Sequence, residues 1–131
     1  MDLKNAGKKL FTVLVALPAL LFVIMGLRWL VNPGGIAPEL YLTLETGLGL
    51  SSQVGDMAAF FLVMGLCILM ALVTARRTWF YPAVMLLLIT ATGRIVAWAV
   101  HGASLAVQMI VFEVVVALLL LAASRILAES D

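Results

Sequence analysis

Residues 79–100, WFYPAVMLLLITATGRIVAWAV, decide how this chain is read. The run is long and apolar enough to cross a bilayer as one helix, because about 20 residues rising about 1.5 Å each cover a hydrocarbon core of about 30 Å. Arg94 lies well inside it. A guanidinium near the centre of such a helix costs about 2.5–3.5 kcal/mol on insertion scales, so it demands a carboxylate, a watered cleft or a lipid headgroup beside it. What surrounds Arg94 is therefore the functional question.

The rest of the chain shares this character. Of 131 residues, 65% are hydrophobic and 11% charged, against roughly a quarter charged in ordinary water-soluble domains, and the mean hydropathy is +1.20. These values describe an integral membrane protein in contact with the lipid bilayer. A net charge of +1 with no concentrated basic face excludes a nucleic-acid partner. Cys67 is the single cysteine and His101 the single histidine, so an intrachain disulfide and a haem held by two histidines are both excluded, and no cluster of ligands suggests a metal. Any cofactor is left unknown.

Outward from residues 79–100, three more apolar runs complete an all-α, antiparallel four-helix membrane bundle in one transmembrane domain, residues 1–131, with spans near 10–31, 56–75, 79–100 and 104–124. The first follows Lys4, Lys8 and Lys9, is longer than the apolar core of a signal peptide, and is followed by no cleavage site of the A-x-A type, so it reads as an uncleaved span. Pro18 is a candidate kink within it. Arg28 and Trp29 read as interfacial anchors near its far end. Asn32-Pro33-Gly34-Gly35 ends the run. The segment from Ile36 to Gly55 reads as a short interfacial or re-entrant piece, partly irregular because of Gly47, Gly49 and Gly55. Asp56 is placed to open the second span, where an acidic residue meets the positive end of the helix dipole. Arg76-Arg77-Thr78 and His101-Gly102-Ala103 form short turns that make neighbouring spans antiparallel.

The lysines and arginines that flank the spans fall on one side of this arrangement. Lys4, Lys8, Lys9, Arg76, Arg77 and Arg125 share it, while 32–55 and 101–103 contain neither residue type. By the positive-inside rule both termini are expected in the cytoplasm.

Depth along the helices then brings charges together. At about 1.5 Å per residue, Arg94 lies ~10 Å and Glu113 ~13 Å below the outer ends of consecutive spans, so the two are expected to pair. Arg28, Asp56, His101, Gln53 and Gln108 also belong to outer ends. The expected site is a buried charge cluster or ligand-binding pocket of Arg94, Glu113, Asp56, Arg28 and His101, opening outward. An equally direct reading is structural, since a buried ion pair fixes helix register. Asp56 reads more simply as a helix cap, and His101 as an interfacial polar group. Gly93 with Ala97, and Gly55 with Ala59, have the spacing of close helix contacts. Phe60, Phe61 and the seven methionines read as lipid-facing or core side chains.

Catalytic signatures are absent: there is no G-x-S-x-G, H-E-x-x-H, phosphate-binding glycine loop or dinucleotide turn. A membrane enzyme built on Arg94, Glu113 and His101 has the titratable groups it would need but no pattern naming a substrate.

The turn from Leu30 to Gly34, Asp56, Gly93-Arg94, Gly102 and Glu113 resemble the pattern of small bacterial four-helix membrane proteins grouped as domain of unknown function 4345. That family is distantly similar to DoxX-like membrane proteins, a link that implies an accessory role near quinone or sulfur redox chemistry. Two positions depart from the pattern. Met57-Ala58-Ala59 stands where an arginine is expected soon after the aspartate, and His101 precedes Gly102 where an aspartate is more usual.

The function expected from these readings is nonenzymatic. The chain would sit in the bacterial inner membrane and bind an amphipathic molecule, lipid or quinone-like, or serve as an accessory subunit of a larger membrane complex, with homo-oligomers also open. A small solute or proton-coupled transporter using Glu113 and Arg94, and a quinone-linked redox accessory protein, are the alternatives.

Overall fold

The computed structural model describes residues 2–129, and these form helices joined by turns. The long helices are α1 (Leu3–Val31), α3 (Gly47–Thr74), α4 (Tyr81–His101) and α5 (Val107–Ile126), with a single-turn α2 (Pro33–Ile36) after α1. Each long helix is apolar and long enough to cross a membrane. Large apolar side chains such as Leu17, Ile24, Val63, Met85, Ile89 and Val115 lie exposed on their outer faces, as expected where the solvent is lipid. The chain is a multi-pass membrane protein.

Helix ends follow local chemistry. The Asp2 carboxylate accepts from the Lys4 amide at 3.2 Å, capping α1 seven residues before the apolar run begins, so Lys4, Lys8 and Lys9 lie on the helix itself. α1 continues through Pro18 and stops at Asn32, whose φ of −146° and ψ of 72° leave the helical region as the following proline requires. Gly102 ends α4 at φ +74°, a left-handed turn that a residue without Cβ enters freely.

The second span departs from expectation. α3 begins at Gly47 rather than near Asp56, so Asp56 opens nothing. It is an exposed side chain in the third turn, and Gly49 and Gly55 are helical. Ser51, Ser52 and Gln53 conceal two further turns, because polar residues at the headgroup level do not continue an apolar pattern although they continue a helix. Before α3, residues 32–46 form a cap: α2, a 3₁₀ turn at Ala37–Leu40, and an irregular stretch over 42–46. α5 likewise begins at Val107, three residues later than expected.

Around the bundle the helices follow the order α1, α3, α4, α5, with α1 also meeting α5. The tightest seam joins α1 to α3. A Cβ on Gly65 would lie 2.7 Å from the Ala19 carbonyl oxygen and 2.9 Å from the Val23 amide nitrogen, and one on Gly26 would lie 2.6 Å from Leu62 Cγ. The two backbones approach this closely only because both positions are glycine. Gly55 and Gly93, expected as contact positions from their spacing, face open space. Spacing alone does not reveal which side of a helix faces a neighbour.

Packing is uneven along the bundle axis. At the end of the bundle where α1 starts and α5 stops, termed the inner end, Val15, Ile68, Phe80, Ala83, Leu120 and Ala123 are fully or almost fully buried, and the Arg77 Nε donates to the Ser124 carbonyl at 2.9 Å. Toward the opposite end, the one the cap covers and termed the outer end, α1 and α3 stay packed, with Trp29 and Ala58 buried beneath Ile36 and Ala37 of the cap. α4 has no buried residue after Ala91, and α5 has none before Glu113. The α4/α5 hairpin therefore separates from α1 and α3 over its outer half.

Candidate functional site: a cleft at Arg94

The separation opens a cleft in two parts. A mouth of about 720 Å³ is lined by Leu40, Tyr41, Arg94 and the stretch 104–109 that leads into α5. Below it lies a chamber of about 280 Å³, walled by all four long helices and Leu40. Leu40, Arg94, Gln108 and Met109 line both parts, so Arg94 stands at their junction.

Within the cleft, Arg94 Nε donates to both Glu113 carboxylate oxygens, at 2.9 and 3.0 Å. The glutamate side chain is only 9% exposed and the arginine 31%. Glu113 lines the chamber but not the mouth. Its carboxylate thus holds the guanidinium from the deep side, while the arginine retains access to the mouth. The antiparallel α4/α5 hairpin puts the two residues at one depth, as the rise per residue requires.

The chamber wall is aromatic. Phe60 meets Phe61 edge to face with centroids 5.0 Å apart, Phe61 stacks on Phe22 at 6.3 Å, and Phe22 meets Phe112 edge to face at 6.2 Å. All four line the chamber. Leu21 and Phe112 are more than 40% exposed, so the chamber reaches the lipid-facing surface between α1 and α5. Its floor is Met64 and Leu87, beneath which the packed inner half begins.

The remaining charged residues expected at the site lie elsewhere. Arg28 pairs with Glu39 and donates to the Gly35 carbonyl at 3.3 Å, which ties the cap to the end of α1. Asp56 and His101 are exposed and line neither part of the cleft, and their side chains make no hydrogen bond or ion pair among the described residues. The expected meeting of Arg28 and Arg94 with Asp56 and Glu113 resolves into two separate pairs, with Glu39 taking the place of Asp56. Arg28 finds Glu39 because α2 and the 3₁₀ turn fold the chain back over the end of α1. Glu39 was legible as the acidic residue nearest to Arg28 in a turn that returns on itself.

Gln53 is the second tie. Its amide oxygen accepts from the Glu45 amide and its amide nitrogen donates to the Thr43 carbonyl, both at 2.9 Å. Held at both places, the cap brings Leu40 and Tyr41 to the rim, with Tyr41 in a left-handed conformation at φ 62°. Trp29, expected as an interfacial anchor, is fully buried, and its indole nitrogen has no hydrogen-bond partner among the described residues. Among the described residues, no three His, Cys, Asp or Glu side chains gather as a metal site would require.

Compared with known proteins, residues 10–124 match the family described as a domain of unknown function, DUF4345. The chain belongs to this family. The match takes in α3, α4, the cap and most of α1 and α5, so Arg94, Glu113 and the whole cleft belong to the DUF4345 unit. No curated protein and no solved structure matches the chain.

Proposed function

We propose that this DUF4345 protein binds an amphipathic molecule, a lipid or a quinone-like compound, in the outer-half cleft. It does so as a nonenzymatic protein of the bacterial inner membrane with both termini in the cytoplasm. The observation that carries this reading is Arg94 at the junction between a mouth that also carries Tyr41, Ser104 and Gln108 and a chamber walled by Phe22, Phe60, Phe61 and Phe112. A cavity that is mostly apolar with a few convergent polar groups is the usual form of a small-molecule site. The basic residues at the inner ends of the helices support the orientation, and the opening between α1 and α5 gives a hydrophobic ligand a route from the bilayer.

Binding is preferred to transport because the chamber closes on Met64 and Leu87 above a packed inner half. The test is native mass spectrometry of protein extracted in a mild maltoside detergent. One retained amphiphile per chain is expected, and Met109→Trp, which fills the junction, should release it. Retention that is absent in the wild type, or unchanged in Met109→Trp, would overturn the reading.

A further inference from the structure

We infer that the head of the bound amphiphile is an oxyanion, a phosphate or carboxylate, gripped by the terminal nitrogens of Arg94. This deepens the proposed function and rests on it. The Glu113 carboxylate engages only Nε of the guanidinium. The two terminal nitrogens make no hydrogen bond among the described residues, although the side chain is only 31% exposed. An arginine carries five N–H donors in a planar fork, and the end formed by its two terminal nitrogens matches two oxygens of one carboxylate or phosphate. Glu113 leaves that end open.

The mouth adds donors and no competing carboxylate. Its lining of Leu40, Tyr41, Arg94 and residues 104–109 contains no aspartate or glutamate. α5 starts there, with Ala106 at its cap position, no side-chain cap and no acidic residue in its first turn. The Val107 amide donates to the Leu105 carbonyl at 3.0 Å and the Ile110 amide to the Ala106 carbonyl at 2.9 Å, so the amides of Gln108 and Met109 are the ones that add donors of the same sign as Arg94. Arg94 and the two-part cleft carry the assignment, and the start of α5 supplements it.

Glu113 has a definite part in this arrangement. It touches Arg94 and not the mouth, so it is a positioning residue that fixes the guanidinium at the junction of head and tail sites. An acyl chain or ring entering the chamber would lie along Phe22, Phe61 and Phe112, with the head at the depth of Arg94.

Three probes separate the elements of the claim: dodecyl phosphate, dodecanol and inorganic phosphate, each titrated into purified protein in maltoside micelles while thermal unfolding is followed. Dodecyl phosphate should raise the midpoint with an apparent affinity at least tenfold above dodecanol, and inorganic phosphate should have no effect at the same concentrations. Arg94→Lys, which keeps the charge but loses the fork, should reduce the preference for phosphate over alcohol at least threefold. In the charge-neutral double variant Arg94→Gln/Glu113→Gln, dodecyl phosphate and dodecanol should bind equally.

Equal binding of dodecanol and dodecyl phosphate to the wild type would overturn the oxyanion head and leave the amphiphile reading intact. A response to inorganic phosphate as strong as to dodecyl phosphate would make the site one for a free ion and overturn both. Failure of both chain-bearing probes to shift the midpoint would also sink the amphiphile reading itself.

Discussion

Removing Arg94 will damage the fold more than removing Glu113, although each contributes one half of a single ion pair. The asymmetry comes from where each partner is left. In Arg94→Ala the Glu113 carboxylate, 9% exposed against an aromatic chamber, loses the only cation that pairs with it among the described residues. Breaking a buried pair from one side costs about 3–5 kcal/mol, and because the chamber reaches the surface a value of about 3 kcal/mol is expected. In Glu113→Ala the guanidinium already lines the mouth and turns into it, so the loss resembles that of a surface pair, about 1 kcal/mol or less. The double alanine variant leaves no stranded charge and should cost about 1–2 kcal/mol, which gives a coupling energy near 2–3 kcal/mol. Neutral polar contacts between membrane helices average about 0.6 kcal/mol and reach about 1.7, so a charged pair is recognised by exceeding that ceiling. The assay is unfolding by sodium dodecyl sulfate in maltoside mixed micelles, read by far-ultraviolet circular dichroism. A larger loss for Glu113→Ala than for Arg94→Ala, or a coupling energy at or below about 1.7 kcal/mol, refutes the placement of the carboxylate on the deep side.

The same assay reads the rest. Gly65→Ala should destabilise by about 1–3 kcal/mol because the added methyl meets the backbone of Ala19 and Val23 in a closed seam. Gly93→Ala, which meets nothing, should be neutral or stabilising by up to about 1 kcal/mol through helix propensity. Tyr41→Gly should stabilise by up to about 1–2 kcal/mol by relieving a left-handed backbone, since the ring is 84% exposed and little packing is lost. Gln53→Ala should leave global unfolding within about 1–2 kcal/mol of wild type but speed hydrogen exchange selectively at the Glu45 amide, and uniform exchange would contradict the tie described for the cap.

The legible and the hidden parts of this protein differ for one physical reason. Charges and turns carry sign and position in the sequence. A short connection at His101-Gly102-Ala103 and a fixed rise per residue are enough to bring Arg94 level with Glu113. Apolar side chains carry no such mark in a membrane, because the core and the lipid make the same demand on them. The sequence therefore does not distinguish Phe22 and Phe61, which wall the chamber, from Leu17 and Ile24, which face lipid, nor Gly65 in a seam from Gly93 in open space. Asp56 is misread for a related reason. The apolar pattern shows where the membrane begins, whereas α3 begins nine residues earlier, at Gly47.

The polar pair also explains how a cleft survives in a bundle this small. Helices in lipid are held by close packing, with little hydrophobic drive between them. α1 and α3 satisfy that requirement through Gly26 and Gly65, and the inner ends of α4 and α5 do so through Ala83, Ala117 and Ala123. Over the outer half α4 and α5 have left the other two helices, and apolar contact alone gives them no reason to keep a fixed spacing beside an opening. The Arg94 and Glu113 contact supplies that reason, because two membrane-embedded charges cannot separate cheaply. A pair of leucines at these positions would let the hairpin collapse onto Phe22 and Phe61 and fill the chamber. Arg94→Leu/Glu113→Leu is accordingly expected to match or exceed the wild type in stability while losing the retained amphiphile. If that variant kept the ligand, the pair would be holding neither the cleft nor its occupant.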